Sequence, residues 1–191
     1  KEAVGLALAC PPGLCGLGGG LGKPSPMVRL FSFVVPKDAV TVAVNFEDRQ
    51  MPVAIASGTP FDASILQRPA APAPDEPGQV EVELKRLAWI RSGDKGNKAN
   101  VGVIARSSDY LPYIWEALDN TTLKTRFGHV VHGPIEKFIL PGTHAINLLM
   151  HDALGGGGIA SLRNDPQAKG FSQLLLDCPV RIPEKICKEL K

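Results

Sequence analysis

The sequence predicts an α+β sandwich: a small sheet with two or three helices on one face, preceded by a strand-rich remnant of another unit. Three observations carry this. After residue 79, strand-like and helix-like segments alternate in the order β-β-α-β-α-β-α, which sets helices against one sheet face. The stretch Arg68-Pro69-Ala70-Ala71-Pro72-Ala73-Pro74-Asp75-Glu76-Pro77-Gly78 separates that pattern from what precedes it, as an extended spacer. The 191 residues are 44% hydrophobic and 21% charged with a formal net charge of +2, a balance that supports one core and a fragment of another.

The same composition excludes several classes. The apolar fraction is too high for a disordered chain and the charge too even for a nucleic-acid stripe. The 20 Gly and 17 Pro follow no three-residue period, so the chain is not collagen-like. No run approaches the roughly 18 apolar residues of a membrane span. The cysteines fall as two distant pairs, Cys10/Cys15 and Cys178/Cys187, too sparse for a secreted disulfide scaffold. The expectation is a cytoplasmic protein with neither nucleic acid nor membrane as partner.

Residues 1–67 read as the C-terminal tail of a larger domain. Ala3 to Cys10 is apolar and suits a helix entered part-way. Val28 to Val35 and Ala39 to Phe46 look like strands split by a turn at Pro36-Lys37-Asp38. These elements are too few to bury a core of their own. A linker follows at 68–79, then a domain at 80–183 and a charged tail at 184–191.

Within the domain, Val80 to Arg91 and Asn100 to Arg106 read as strands. Asp109 can cap a helix striped by Leu111, Ile114, Trp115 and Leu118. Ile135 to Leu140 is a strand, and Pro141-Gly142-Thr143 turns into a second helix whose Ile146, Leu149, Met150, Ala153 and Leu154 fall at helical spacing. Gly155 caps it. Ile159 to Arg163 is a short strand, and Asp165-Pro166 opens a last helix burying Ala168, Phe171 and Leu175.

The richest segment chemically is Ser92-Gly93-Asp94-Lys95-Gly96-Asn97-Lys98-Ala99-Asn100. Its glycines permit turns in which backbone N–H groups converge on an anion, Lys95 and Lys98 add charge, and Ser92, Asp94, Asn97 and Asn100 add polar partners. A carboxylate, a phosphate or the phosphates of an acyl carrier would suit it; the alternative is an ordinary polar hairpin. Gly155-Gly156-Gly157-Gly158 matches the letters of a dinucleotide fingerprint but ends a helix instead of opening one, so no Rossmann site is assigned. Four glycines still suggest close approach of a ligand or another chain. Gly16 to Lys23 fails as a P-loop, because Lys23 is followed by Pro24. The histidines lie at 129, 132, 144 and 151. On a helix, His144, Asn147 and His151 share a face, but residues seven apart stand roughly 10 Å along the axis, a poor spacing for one metal ion. His144 is instead the candidate for proton transfer. Arg163, after Ser161, could clamp a carboxylate.

Trp89 to Val103, with Leu140-Pro141-Gly142-Thr143-His144 and Ala153 to Arg163, resembles the acyclic terpene utilisation (AtuA) family, and in particular its C-terminal, ferredoxin-like domain. Residues 1–50, through Gly16-Leu17-Gly18-Gly19-Gly20 and Leu30 to Pro36, resemble the end of that family's large N-terminal domain. Lys98 departs from the pattern, which has a small or uncharged residue there. The resemblance implies a role in degrading acyclic terpenes through branched acyl-CoA intermediates, and it implies no particular reaction.

The leading expectation is a ligand-binding or accessory domain. Ser92, Gly93, Asp94, Lys95, Gly96, Asn97 and Asn100 would form one wall and Gly156, Gly157, Gly158, Ser161 and Arg163 the other, with Lys95 and Arg163 holding an anionic small molecule. The competing expectation is a non-catalytic assembly domain that contacts its own larger N-terminal domain or forms a homo-oligomer. No cofactor is specified; acyl-CoA is a candidate substrate and no metal is expected.

Overall fold

The computed structural model describes residues 26–29 and 31–190. The apolar Ala3 to Cys10 segment, the Cys10/Cys15 pair and the glycine turn at Gly16 to Lys23 lie outside the described residues.

Before residue 68, β1 (Ala43–Phe46) and β2 (Arg49–Pro52) form an antiparallel hairpin. Glu47 turns it in a left-handed conformation, φ 52°. The strand expected over Val28 to Val35 is absent among its described residues: the backbone there is irregular and Val34 is 97% exposed. Strand-like residues without a neighbouring ladder have nothing to pair with.

The domain opens with β3 (Val80–Glu83), a single helical turn α1 (Leu84–Leu87) and β4 (Ala88–Lys95). One long strand was expected from Val80 to Arg91. Leu84 and Leu87, both fully buried, instead turn the chain inward and split it. Next come β5 (Lys98–Ala105), α2 (Leu111–Ala117), α3 (Asn120–Phe127), β6 (Ile135–Leu140) and β7 (Ala145–Met150). The chain then passes a 3-10 turn at Phe171–Leu175, β8 (Pro179–Ile182) and α4 (Glu184–Glu189). β4-β5-β7-β6 form one antiparallel sheet, and β3 pairs antiparallel with β8 beside it.

The largest departure from the sequence pattern is β7, expected as a helix. Ile146, Leu148 and Met150 alternate inward and are fully buried, while Asn147 and Leu149 face the other side. A short apolar run satisfies both periods; pairing with β5 and β6 on either side decides for the strand. Ile159 to Arg163 is likewise a 3-10 turn (Gly158–Ala160) and not a strand, and the last helix is a 3-10 turn as well. Asp165 still closes the local turn, accepting the Lys169 amide at 2.9 Å and the Gly170 amide at 2.8 Å.

The core lies on one side of the four-stranded sheet. Val101, Val103, Ile146, Leu148 and Met150 pack with Ile114, Leu118, Leu123, Phe127 and Leu175. The helical stripe holds: Ile114 and Leu118 are fully buried, and Leu111 and Trp115 pack at the margin. Asp119 caps α3, accepting the Thr122 amide at 2.7 Å. No described helix is long and apolar enough to cross a membrane.

Candidate functional site

Strand register places the outward side chains in rows across the sheet. Antiparallel partners directly opposite each other share a face. One row is Trp89, Ile104, Ala145 and Leu140; the next is Arg91, Gly102, Asn147 and Phe138; the third is Gly93, Asn100, Leu149 and Glu136. This is the face the helices leave open. Trp89 is 56% exposed, Ile104 46% and Leu140 43%. Arg106 stacks over the Trp89 ring at 4.6 Å, and Arg68 stands 5.5 Å over Phe138.

At the β4 edge of this face is a cleft of about 330 Å³, lined by Arg91, Ser92, Gly93, Asp94, Lys95, Asn100, Gly102 and Lys169. Its construction follows from two details. Gly93 and Gly102 carry no side chains, so the sheet backbone itself forms part of the floor. Lys169 reaches the cleft from the far side of β4: its Nζ lies 3.5 Å from where a Cβ on Gly93 would stand. Ser92 fixes that reach. Its buried hydroxyl donates to the Lys169 carbonyl at 3.2 Å and accepts the Ser172 amide at 2.9 Å, tying residues 169–172 to the strand. Among the described residues, Arg91, Lys95 and Lys169 form no ion pair with any carboxylate. Three cations and one carboxylate, Asp94, therefore face one small volume. Asn100 adds an amide that bonds Asn147 across the sheet.

The expected two-walled site is divided differently. Ser92, Gly93, Asp94, Lys95 and Asn100 meet at the cleft. Gly96 and Asn97 instead hold the glycine loop shut. The Asn97 side-chain oxygen accepts the amides of Gly156 at 2.8 Å and Leu154 at 3.3 Å, its backbone carbonyl accepts Ala153 at 2.9 Å, and its amide donates to Asp152 at 3.0 Å. Gly157 is packed so closely on the Gly96 carbonyl that a Cβ would collide with it. Gly155 to Gly158 all have positive φ, a path open to glycine above all.

Arg163 lies outside the cleft. Its guanidinium donates to the carbonyls of Val130 (2.7 Å) and Ala153 and contacts His132 Nε2 at 3.4 Å, knitting three loop segments together. Ser161 accepts the Arg163 amide at 3.3 Å. His144 sits exposed in the β6–β7 turn with φ 49°, beyond the row of Trp89, and so at the opposite end of the face from Gly93 and Asn100. His151 pairs with Glu136 at 2.7 Å. Among the described residues no three His, Cys, Asp or Glu side chains assemble as a metal-ligand set.

Lys169 is the site residue that the sequence pattern missed. It lies 77 positions from Ser92, whose hydroxyl ties the Lys169 carbonyl to β4.

A family described as the AtuA ferredoxin-like domain matches residues 82–181. No curated protein and no solved structure matches the chain.

Proposed function

Because the chain belongs to the AtuA ferredoxin-like domain family, we propose that its folded unit is an accessory domain binding an anionic small molecule of acyclic terpene or branched acyl-CoA catabolism. The observation that supports this reading is the convergence of Arg91, Lys95 and Lys169, none of them ion-paired among the described residues, on a cleft floored by glycine. Surface cations ordinarily scatter or pair. Here one of them is carried to the site by the buried Ser92 hydroxyl, which ties residues 169–172 to β4.

Three charge-assisted contacts, at about 1.5–3 kcal/mol each, work against an association cost of at least about 4 kcal/mol. The cleft alone then supports a Kd of roughly 0.2 mM at best. Asp94 weakens it further for a bare anion. Nothing in the cleft supplies an activated nucleophile, and no reaction is assigned.

Titrating the protein with isovalerate, pyrophosphate and isovaleryl-CoA while following backbone amide resonances tests the reading. Saturable shifts at Gly93, Asn100 and Gly102, lost in Lys169→Ala, are expected. Absence of any shift at these amides with all three compounds rejects it.

A further inference from the structure

We infer that the anion held in the cleft is the diphosphate of a nucleotide, with Trp89 as the platform for its base. This rests on the anion-binding reading above and extends it to residues outside the cleft. Trp89 stands on the same face of β4 as Arg91, Gly93 and Lys95, because alternate residues of a strand share a face. Along the strand it lies about 7 Å from Arg91 and about 14 Å from Gly93 at 3.4 Å per residue. A base on Trp89 is thus separated from phosphates at Arg91 and Lys169 by an interval that one ribose spans.

On β4 only Arg91 rises between the indole and Gly93; Gly102, opposite it on β5, and Gly93, next along β4, raise no side chain. Asn100 and Asn147 border this path and offer amide groups to ribose hydroxyls. Asp94 at the cleft also has a use here, since a carboxylate accepts from hydroxyls that a bare inorganic anion does not carry.

Trp89 itself is unusual. An indole 56% exposed contributes little to the core, yet Arg106 holds it in place by stacking on one face at 4.6 Å. The guanidinium is in turn anchored to the Lys85 carbonyl at 3.3 Å. The result is a fixed aromatic surface beside a cationic cleft, the combination that bases and phosphates require together. Stacking of one base is expected to tighten binding roughly 5- to 150-fold over the phosphates alone.

The decisive comparison is ADP, coenzyme A and inorganic pyrophosphate, titrated against the whole chain in the Trp115→Phe background so that Trp89 fluorescence is read alone. The expected result is quenching by ADP and coenzyme A with at least 5-fold tighter binding than pyrophosphate. Trp89→Ala should bring ADP down to the pyrophosphate level and leave pyrophosphate unchanged by calorimetry, while Trp89→Phe keeps most of the advantage. Because Trp89 is half exposed, the thermal midpoint serves as a control and should move little. Coenzyme A binding more tightly than ADP points to a nucleotide-bearing acyl carrier, and equal affinity to the free nucleotide. If ADP binds no better than pyrophosphate, the nucleotide inference is overturned and the anion cleft stands. If neither binds, both fail.

Discussion

The side-chain oxygen of Asn97 accepts the backbone amide of Gly156 at 2.8 Å, joining the tip of the β4–β5 hairpin to a glycine loop 59 residues away. With the bonds to Leu154 and Asp152, the same side chain satisfies both of its polar atoms against one loop. Asn97→Ala is therefore expected to lower stability by about 1–3 kcal/mol. Chemical denaturation measures this. Anion titration of the same variant should show little change, since Asn97 does not line the cleft.

Gly157 and Gly158 make an internal comparison. Both have positive φ, so alanine strains either one, by about 1 kcal/mol. Only at Gly157 does the new Cβ meet the Gly96 carbonyl; at Gly158 no atom lies within 4 Å. Gly157→Ala should depress the thermal midpoint clearly more than Gly158→Ala. Equal effects would contradict the close packing of the two loops.

Ser92→Ala separates position from charge. It removes no cation, yet it frees the Lys169 segment from β4 and leaves the buried Ser172 amide without a partner. A stability loss of about 1–3 kcal/mol and a severalfold weaker affinity for pyrophosphate are expected together. Calorimetry at two salt concentrations checks that the charge response itself persists.

Asp119 gives a pH signature. Its hydrogen bonds from Thr122 hold the carboxyl below its usual range. A depressed folded pKa adds stability above the unfolded value, about 3.9, and that stability is lost as pH falls through the lower folded value. Asp119→Asn keeps a capping oxygen but cannot ionise. The wild type and this variant should thus differ most near neutral pH and converge under acid, as followed by thermal midpoint between pH 7 and pH 3.

The sequence made the domain's strands β4, β5 and β6 and its first amphipathic helix legible, because each carries a pattern that only one period fits. It concealed β7, where Ile146 to Met150 satisfies a helix and a strand equally and the choice lies with distant partners. Half of the cleft was legible in the polar, glycine-rich run from Ser92 to Asn100. Lys169 was not, since its place depends on a tether with no local signature. Arg163 was expected beside the cleft and lies outside it for a related reason: the carbonyls its guanidinium meets, Val130 and Ala153, come from loops whose meeting no spacing announces.

The pairing of β3 with β8 sets Val80 opposite Ile182, so the first and last strands of the folded unit are adjacent, with α4 following directly on β8. The chain could be closed there by a short bridge and reopened at the exposed Pro141–Thr143 turn, where a Cβ on Gly142 would touch nothing. Every ladder would survive, since no strand crosses the new break. The unit is in this sense a cassette, transplantable into a surface loop of a host protein with its open face and cleft intact.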